Sequence, residues 1–145
     1  MAYNYKVIKN RSPYPPGPKV WNIFNSIMVK DLLYCGQVDT EDLKVAKLHG
    51  YGTLYEKRQG NKCFEGQFTK GLPDGFGKLY IKNKPIEKLK YCGGFKHGMK
   101  NGMGRNYLSS GELSFVGFWS NNKPRYNFIK YKNGCIVAYN FKPKP

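Results

Sequence analysis

Phe64-Glu65-Gly66-Gln67-Phe68-Thr69-Lys70-Gly71-Leu72-Pro73-Asp74-Gly75-Phe76-Gly77-Lys78-Leu79-Tyr80 is the stretch on which the fold turns. In an extended strand residues two apart share a face, so Phe64, Gly66 and Phe68 line one side while Glu65 and Gln67 line the other. A glycine between two aromatics leaves bare backbone on which a neighbouring ring can lie. Gly71 and the Gly75-x-Gly77 pair supply a turn or a close backbone approach. The stretch therefore reads as a β-hairpin, and one hairpin alone cannot bury its apolar face.

Working outward, the same pattern returns. Tyr91-Cys92-Gly93-Gly94-Phe95 and Phe115-Val116-Gly117-Phe118-Trp119 repeat the aromatic-x-Gly-x-aromatic core, and Tyr34-Cys35-Gly36-Gln37-Val38 keeps it with Val in the last place. Gly102-Met103-Gly104 with Tyr107, and Gly50-Tyr51-Gly52 with Tyr55, reproduce the downstream half. The interval from first aromatic to closing Tyr is 16 residues for Phe64 to Tyr80, Tyr91 to Tyr107 and Phe115 to Tyr131. It is 21 for Tyr34 to Tyr55, the same unit with five residues added between Val38 and His49. The last copy is degenerate: Arg125-Tyr126-Asn127-Phe128 stands where Asp74-Gly75-Phe76-Gly77 stands in the second, as is common for terminal repeats with one unstacked face. Asn133-Gly134 beyond it predicts a two-residue hairpin turn leading into a half-repeat strand.

The expected organisation is an N-terminal basic arm or cap over residues 1–33, repeats over 34–141 and a basic tail over 142–145. The repeat units are 34–55, 64–80, 91–107 and the degenerate 115–131, followed by the half-repeat strand to 141. The expected repeat core is Tyr34, Gly36, Phe64, Gly66, Phe68, Gly75, Gly77, Tyr80, Tyr91, Gly93, Phe95, Gly102, Gly104, Tyr107, Phe115, Gly117, Trp119 and Tyr131. Only three alanines against 17 glycines and 12 tyrosines favour strands and turns over helices. The N-terminal segment combines a Pro-rich stretch (Pro13, Pro15, Pro16, Pro18) with one predicted short amphipathic helix, in which Val20, Trp21, Phe24, Ile27 and Met28 share a face. That helix would cap the first sheet edge, or Trp21 and Phe24 would anchor a partner.

The residues quoted above resemble the MORN (membrane occupation and recognition nexus) repeat, roughly Tyr-x-Gly-x-Trp-x-x-Gly-x-x-His-Gly-x-Gly-x-x-x-Tyr; His49-Gly50-Tyr51-Gly52 even keeps the His. The resemblance covers residues 34 to 141. It implies an all-β fold: a single-layer, twisted antiparallel sheet of consecutive hairpins. In that family such a sheet serves as a scaffold that dimerises, organises cytoskeletal or membrane-associated assemblies, or accompanies an enzyme domain, for which the repeats leave no room here.

Charge adds a second layer. The formal net charge is +16, and eleven of those charges sit in the first 30 and last 33 residues, which hold no acid. Lys6, Lys9, Arg11, Lys123, Arg125, Lys130, Lys132, Lys142 and Lys144, with Trp21 and Phe24, are therefore the candidate partner contacts. Acidic protein surfaces in a larger complex are the first expected partner, an anionic membrane the second. Nucleic acid ranks lower, because 21 Lys against 4 Arg suits loose attachment better than bidentate phosphate recognition. Oligomerisation stays open.

Chemistry is poorly provided for. Cys35, Cys63, Cys92 and Cys135 lie 28, 29 and 43 residues apart, without metal-ligand spacing. His49 and His97 occupy repeat positions, and no phosphate-cradling glycine motif is present. No enzyme activity, metal or cofactor is expected. The N-terminus lacks the apolar core of a secretory signal and no apolar run is long enough for a spanning helix, so an intracellular assembly (cytoplasmic, organellar, cytoskeletal or virion) is expected. The functional expectation is a non-catalytic scaffold or architectural subunit binding protein partners through its sheet and basic ends. The alternatives are a peripheral protein of anionic lipids such as phosphoinositides, or an RNA-associated accessory subunit.

Overall fold

A computed structural model describes residues 7–8, 21–40, 42, 44, 46–82, 86–125, 129–133 and 135–139. Among them, twelve strands form one antiparallel sheet and no helix occurs. The strands are β1 (Val7–Ile8), β2 (Trp21–Val29), β3 (Leu32–Val38), β4 (Leu48–Glu56), β5 (Lys62–Thr69), β6 (Leu72–Tyr80), β7 (Leu89–Lys96), β8 (Met99–Tyr107), β9 (Leu113–Ser120), β10 (Lys123–Pro124), β11 (Ile129–Lys132) and β12 (Cys135–Tyr139). Neighbours in sequence are neighbours in the sheet from β1 to β9; β10 and β11 both pair with β9, and β12 closes on β11. The architecture is an open sheet of consecutive hairpins.

The turns explain the order. Lys70 and Gly71 (φ 51° and 88°), His97 and Gly98 (50° and 80°) and Asn121 and Asn122 (49° and 65°) are two-residue turns with both residues left-handed, the type I′ geometry that matches strand twist. Each of these turns donates a backbone hydrogen bond to the preceding hairpin: Gly71 N to Leu48 O (2.9 Å), Gly98 N to Pro73 O (2.8 Å) and Asn122 N to Lys100 O (3.1 Å). Successive units are thereby tied at one end of the strands. At the other end the connections are longer, and hydrogen bonds from Glu56 N to Asn61 O (2.8 Å) and Leu108 N to Glu112 O (2.8 Å) close them.

Seven glycines stand in one cross-strand row. Gly36, Gly52, Gly66, Gly77, Gly93, Gly104 and Gly117 pair in succession from β3 to β9. Aromatic rings lie along this bare track. A Cβ on Gly77 would fall against the ring of Phe64, and one on Gly104 inside the phenol of Tyr91. The core is thus one layer of rings on one face, with Tyr34 and Tyr91 fully buried although no second sheet covers them among the described residues.

The short helix expected around Trp21, Phe24, Ile27 and Met28 is not formed; β2 occupies that span and pairs with β3, and Val20 lies outside the described residues. The apolar spacing that imitates a helical face comes from an interruption of register: Ile23 pairs with Gly36 and Ile27 with Tyr34, so four residues of β2 advance against two of β3. The unpaired backbone edge of β3 offers a hydrogen-bonding template that outweighs the weak local helical pattern.

Candidate functional site

The two faces of the sheet differ in kind. On the ring face, edge-to-face contacts link Tyr34 to Phe68 (5.4 Å between centroids), Phe68 to Phe64 (5.2 Å), Phe64 to Phe95 (5.1 Å), Phe95 to Tyr91 (5.3 Å) and Tyr91 to Trp119 (5.3 Å). Phe115 stacks on Trp119 at 4.7 Å and ends the column. Each such pair adds about 0.5–1.5 kcal/mol beyond its burial. The hydroxyl of Tyr34 donates to Gln37 O (2.6 Å) and that of Tyr91 to Gly94 O (3.0 Å), so both phenols are locked in place. Burial raises the Tyr34 phenol, against the lowering effect of the Gln37 bond, and pushes that of Tyr91 up to about 12.

Lys100 caps this column. Its ammonium sits 4.6 Å from the Tyr91 centroid and 4.4 Å from that of Trp119, and donates to Asn106 Oδ1 at 3.2 Å. The position is Pro73 in the second unit, opposite Phe68, and Pro124 in the fourth, opposite Trp119. Burial, and then the charge of Lys90, lower its pKa. Cation and rings complete each other, and this face is filled by its own side chains.

The opposite face is polar at one level and apolar at the next. Glu65 of β5 accepts from Lys62 (3.1 Å) and Lys78 (3.3 Å), Tyr80 OH approaches it at 3.5 Å, and Glu87 pairs with Lys62 at 3.8 Å. Burial works to raise the Glu65 carboxyl, yet the two lysine hydrogen bonds outweigh it and the net shift is downward; those bonds raise both lysines. Tyr80 reaches this face by alternation, two residues beyond Lys78, and the register with β7 shifts between Leu79 and Tyr80. The same irregularity precedes Tyr55 and Tyr107.

Nearer the tight turns, the middle residues of the Gly-x-Gly pairs emerge. Tyr51, Phe76 and Met103, joined by Phe118, are 50%, 53%, 52% and 49% exposed. Tyr51 pairs with Gln67, Phe76 with Gly94 and Met103 with Phe118. Gln37 Oε1 accepts from Tyr51 N (2.8 Å) and Gln67 Oε1 from Phe76 N (2.7 Å), bracing the bulged backbone of the first two units. Four large apolar side chains at one level of a sheet face form a row, with Gln67 between Tyr51 and Phe76 and Gly94 between Phe76 and Met103, unlike a scattered exposed residue. Arg105 on β8, Lys96 on β7, and Lys123 and Arg125 at β10 surround its far end, all exposed.

Among the expected repeat-core residues, Tyr34, Phe64, Phe68, Tyr91, Phe95 and Trp119 are buried together, with Phe115 packed against them. Gly36, Gly66, Gly77, Gly93, Gly104 and Gly117 form the track beneath. Gly75 and Gly102 adopt left-handed backbone at φ 106° and 79°. Tyr80, Tyr107 and Tyr131 are half-buried outside the ring column. Of the candidate partner contacts, Lys123, Arg125, Lys130 and Lys132 are exposed, and Trp21 and Phe24 are placed in β2. Lys6, Lys9, Arg11, Lys142 and Lys144 lie outside the described residues. Sequence reasoning passed over Lys100 and the exposed row, although the apolar residue in each of Gly50-Tyr51-Gly52, Gly75-Phe76-Gly77 and Gly102-Met103-Gly104 was a visible signal.

Among the described residues no three His, Cys, Asp or Glu side chains stand together as a metal cluster, and no helix is long and apolar enough to cross a membrane. The family model of the MORN repeat matches residues 64–84 and 91–111. Alsin of Mus musculus and alsin of Rattus norvegicus are each 33% identical over 103 residues, 70% of this chain and 6% of theirs. Alsin of Homo sapiens is 39% identical over 77 residues, 52% of this chain and 4% of its own length. The chain thus spans only a small part of the relatives it matches. MORN repeats are commonly involved in protein–membrane or protein–protein interactions and are generally non-enzymatic.

Proposed function

We propose that this chain, a MORN-repeat protein, is a non-catalytic scaffold subunit of a larger assembly that binds protein partners through its exposed sheet face and its basic ends. One observation carries the reading. The ring face is occupied by its own column and by Lys100, whereas the opposite face presents Tyr51, Phe76, Met103 and Phe118 to solvent in register. A patch of that kind is a docking surface by default, and the basic residues around it favour acidic partners.

The test is affinity purification with zero-length crosslinking, which joins lysines to carboxylates, followed by mapping of the linked residues. The expected crosslinks run from Lys96, Lys123, Lys130 and Lys132 to acidic residues of a protein. Crosslinks confined to the β1 edge would refute the assignment of the surface. A second reading, peripheral binding to anionic lipid, draws on the same cations, each worth roughly 1 kcal/mol near an acidic leaflet. Flotation with vesicles containing phosphoinositide, unaffected by protein partners, would favour it over the scaffold.

A further inference from the structure

Resting on the scaffold reading, the exposed face points to a particular kind of partner at its β7–β10 end. Phe76 of β6 and Met103 of β8 stand on either side of Gly94, which pairs with Phe76 and carries no side chain. With strands about 4.8 Å apart, the backbones that carry the two apolar residues are roughly 10 Å apart, with Gly94 between them. A Cβ on Gly94 would strike the carbonyl of Asn101, so only glycine fits there and the floor between the two side chains is backbone. Gln37 and Gln67 occupy this place in the first and second units and brace the bulge; in the third the side-chain brace is gone and the Asn101 carbonyl lies against Gly94. Phe118 extends the apolar wall beyond Met103, its cross-strand neighbour.

The charge around Gly94 is mainly positive; the carboxylate at its border, Asp74 of β6, accepts from His97 N at 3.3 Å. Strands β7 to β10 contain no Asp or Glu. Lys96, Arg105, Lys123 and Arg125 are exposed and form no ion pair among the described residues. Arg105 lies two residues from Met103 on the same face, and Arg125 donates its backbone N–H to Phe118 O at 2.7 Å, which fixes it beside the apolar wall. Lys78 is not part of this set, because Glu65 already neutralises it. A second copy of the chain would bring its own net charge of +16 against these cations, so self-association at this face is disfavoured.

We infer that the β7–β10 end of the exposed face is a docking site for an acidic segment of a protein partner. The segment seats one large apolar side chain over Gly94, between Phe76 and Met103, and sets carboxylates against Arg105 and Arg125. The geometry defines a spacing. The distance from β7 to β10 is three strand separations, about 14 Å, and an extended chain covers ~3.4 Å per residue. An acid that reaches Arg125 is therefore about four residues from the anchor, and one that reaches Arg105, about 8 Å away on the diagonal, is about two or three residues from it.

The experiment is selection of a phage-displayed random dodecapeptide library on the full chain, with selected peptides then measured by fluorescence anisotropy. The expected winners carry one aromatic or large aliphatic residue and Asp or Glu at those spacings. Met103→Ala and Phe118→Ala are each expected to weaken the best peptide about tenfold or more, and Arg105→Glu to abolish measurable binding that a Glu-to-Lys change in the peptide restores. All three positions are exposed, and an unchanged urea midpoint shows that the fold is intact. Selected peptides without an acid bias, or with binding insensitive to the three variants, overturn the docking site while leaving the scaffold reading standing. Absence of any selected peptide, combined with phosphatidylserine-vesicle binding lost in Phe118→Ala and Arg105→Glu, overturns both and assigns the face to lipid.

Discussion

Replacing Gly104 by alanine tests the principle on which the core is built. The added Cβ would lie among the Oη, Cζ and Cε2 atoms of Tyr91. That ring cannot move aside easily. It is wholly buried, held 5.3 Å from both Phe95 and Trp119, covered by the Lys100 ammonium at 4.6 Å, and tied through its hydroxyl to Gly94 O at 3.0 Å. Overpacking of a filled site costs about 1–3 kcal/mol, and displacing the phenol forfeits its hydrogen bond, about 1 kcal/mol more. Alanine returns about 0.4–1 kcal/mol by restricting the unfolded chain. The expected net destabilisation is ~1–3.5 kcal/mol, from those three figures. For a chain of this size that corresponds to a melting point lower by roughly 3–13 °C.

Urea denaturation followed by far-UV circular dichroism and by tryptophan fluorescence reads the change in midpoint. Arg105→Ala, one residue away on the exposed face, should stay within about 0.5 kcal/mol of the parent. A double-mutant cycle isolates the contact. In a Tyr91→Ala background there is no ring to strike, and Gly104→Ala should cost nothing or stabilise the strand by about 0.5–1 kcal/mol. An equal penalty with and without the Tyr91 ring would refute the account of rings lying on a glycine track.

The remaining predictions concern titration and turns. The Tyr91 phenol is pushed up to about 12, while an unfolded tyrosine titrates near 10. Below about pH 10 both states keep the proton and stability is intact; above it only the unfolded chain ionises, so stability falls until the folded phenol titrates near 12. Tyr91→Phe should shrink this alkaline loss in pH-dependent urea midpoints, at a cost near neutrality of about 1 kcal/mol for the lost bond to Gly94 O. The Glu65 carboxyl is held below its ordinary 4.5, so its contribution is present above that value and disappears as pH falls through the lower folded one. Glu65→Gln should flatten this acid limb while costing no more than about 1 kcal/mol at pH 7, the scale of partly exposed ion pairs; an unchanged acid limb would argue against the Lys62–Glu65–Lys78 cluster. Asn122 combines φ 65° with a side-chain bond to Lys100 N at 2.9 Å, so Asn122→Ala should cost about 1–3 kcal/mol by thermal melting, and Asn122→Gly distinctly less.

Much of the fold was legible because its unit is local. The alternation in Phe64 to Phe68 and the glycines that follow it describe one hairpin, and its repetition describes a sheet. The misread element shows the limit. Trp21 to Val29 has apolar residues spaced like a helical face, and only the edge of β3, with an interrupted register between Ile23 and Ile27, turns it into a strand. The partner-facing side was legible only in part. Apolar residues at positions 51, 76 and 103 were visible in the sequence, but their exposure follows from which face the rings claim.

By itself the sequence determined the repeat, its spacing and the pairing of aromatics with glycines, since each depends on strand periodicity and on turns a few residues long. The tertiary structure decided what lies across strands. It aligned seven glycines from Gly36 to Gly117 into one track, placed Lys100 above Tyr91 and Trp119, and brought Lys62, Lys78 and Tyr80 around Glu65. It also gathered Met103, Phe118, Arg105 and Arg125 from two strands and the residue that follows β10. Register between strands is a collective property of every pair in the sheet, and a one-residue shift exchanges the two faces; that is why the core motif could be read along the chain while the binding face could not.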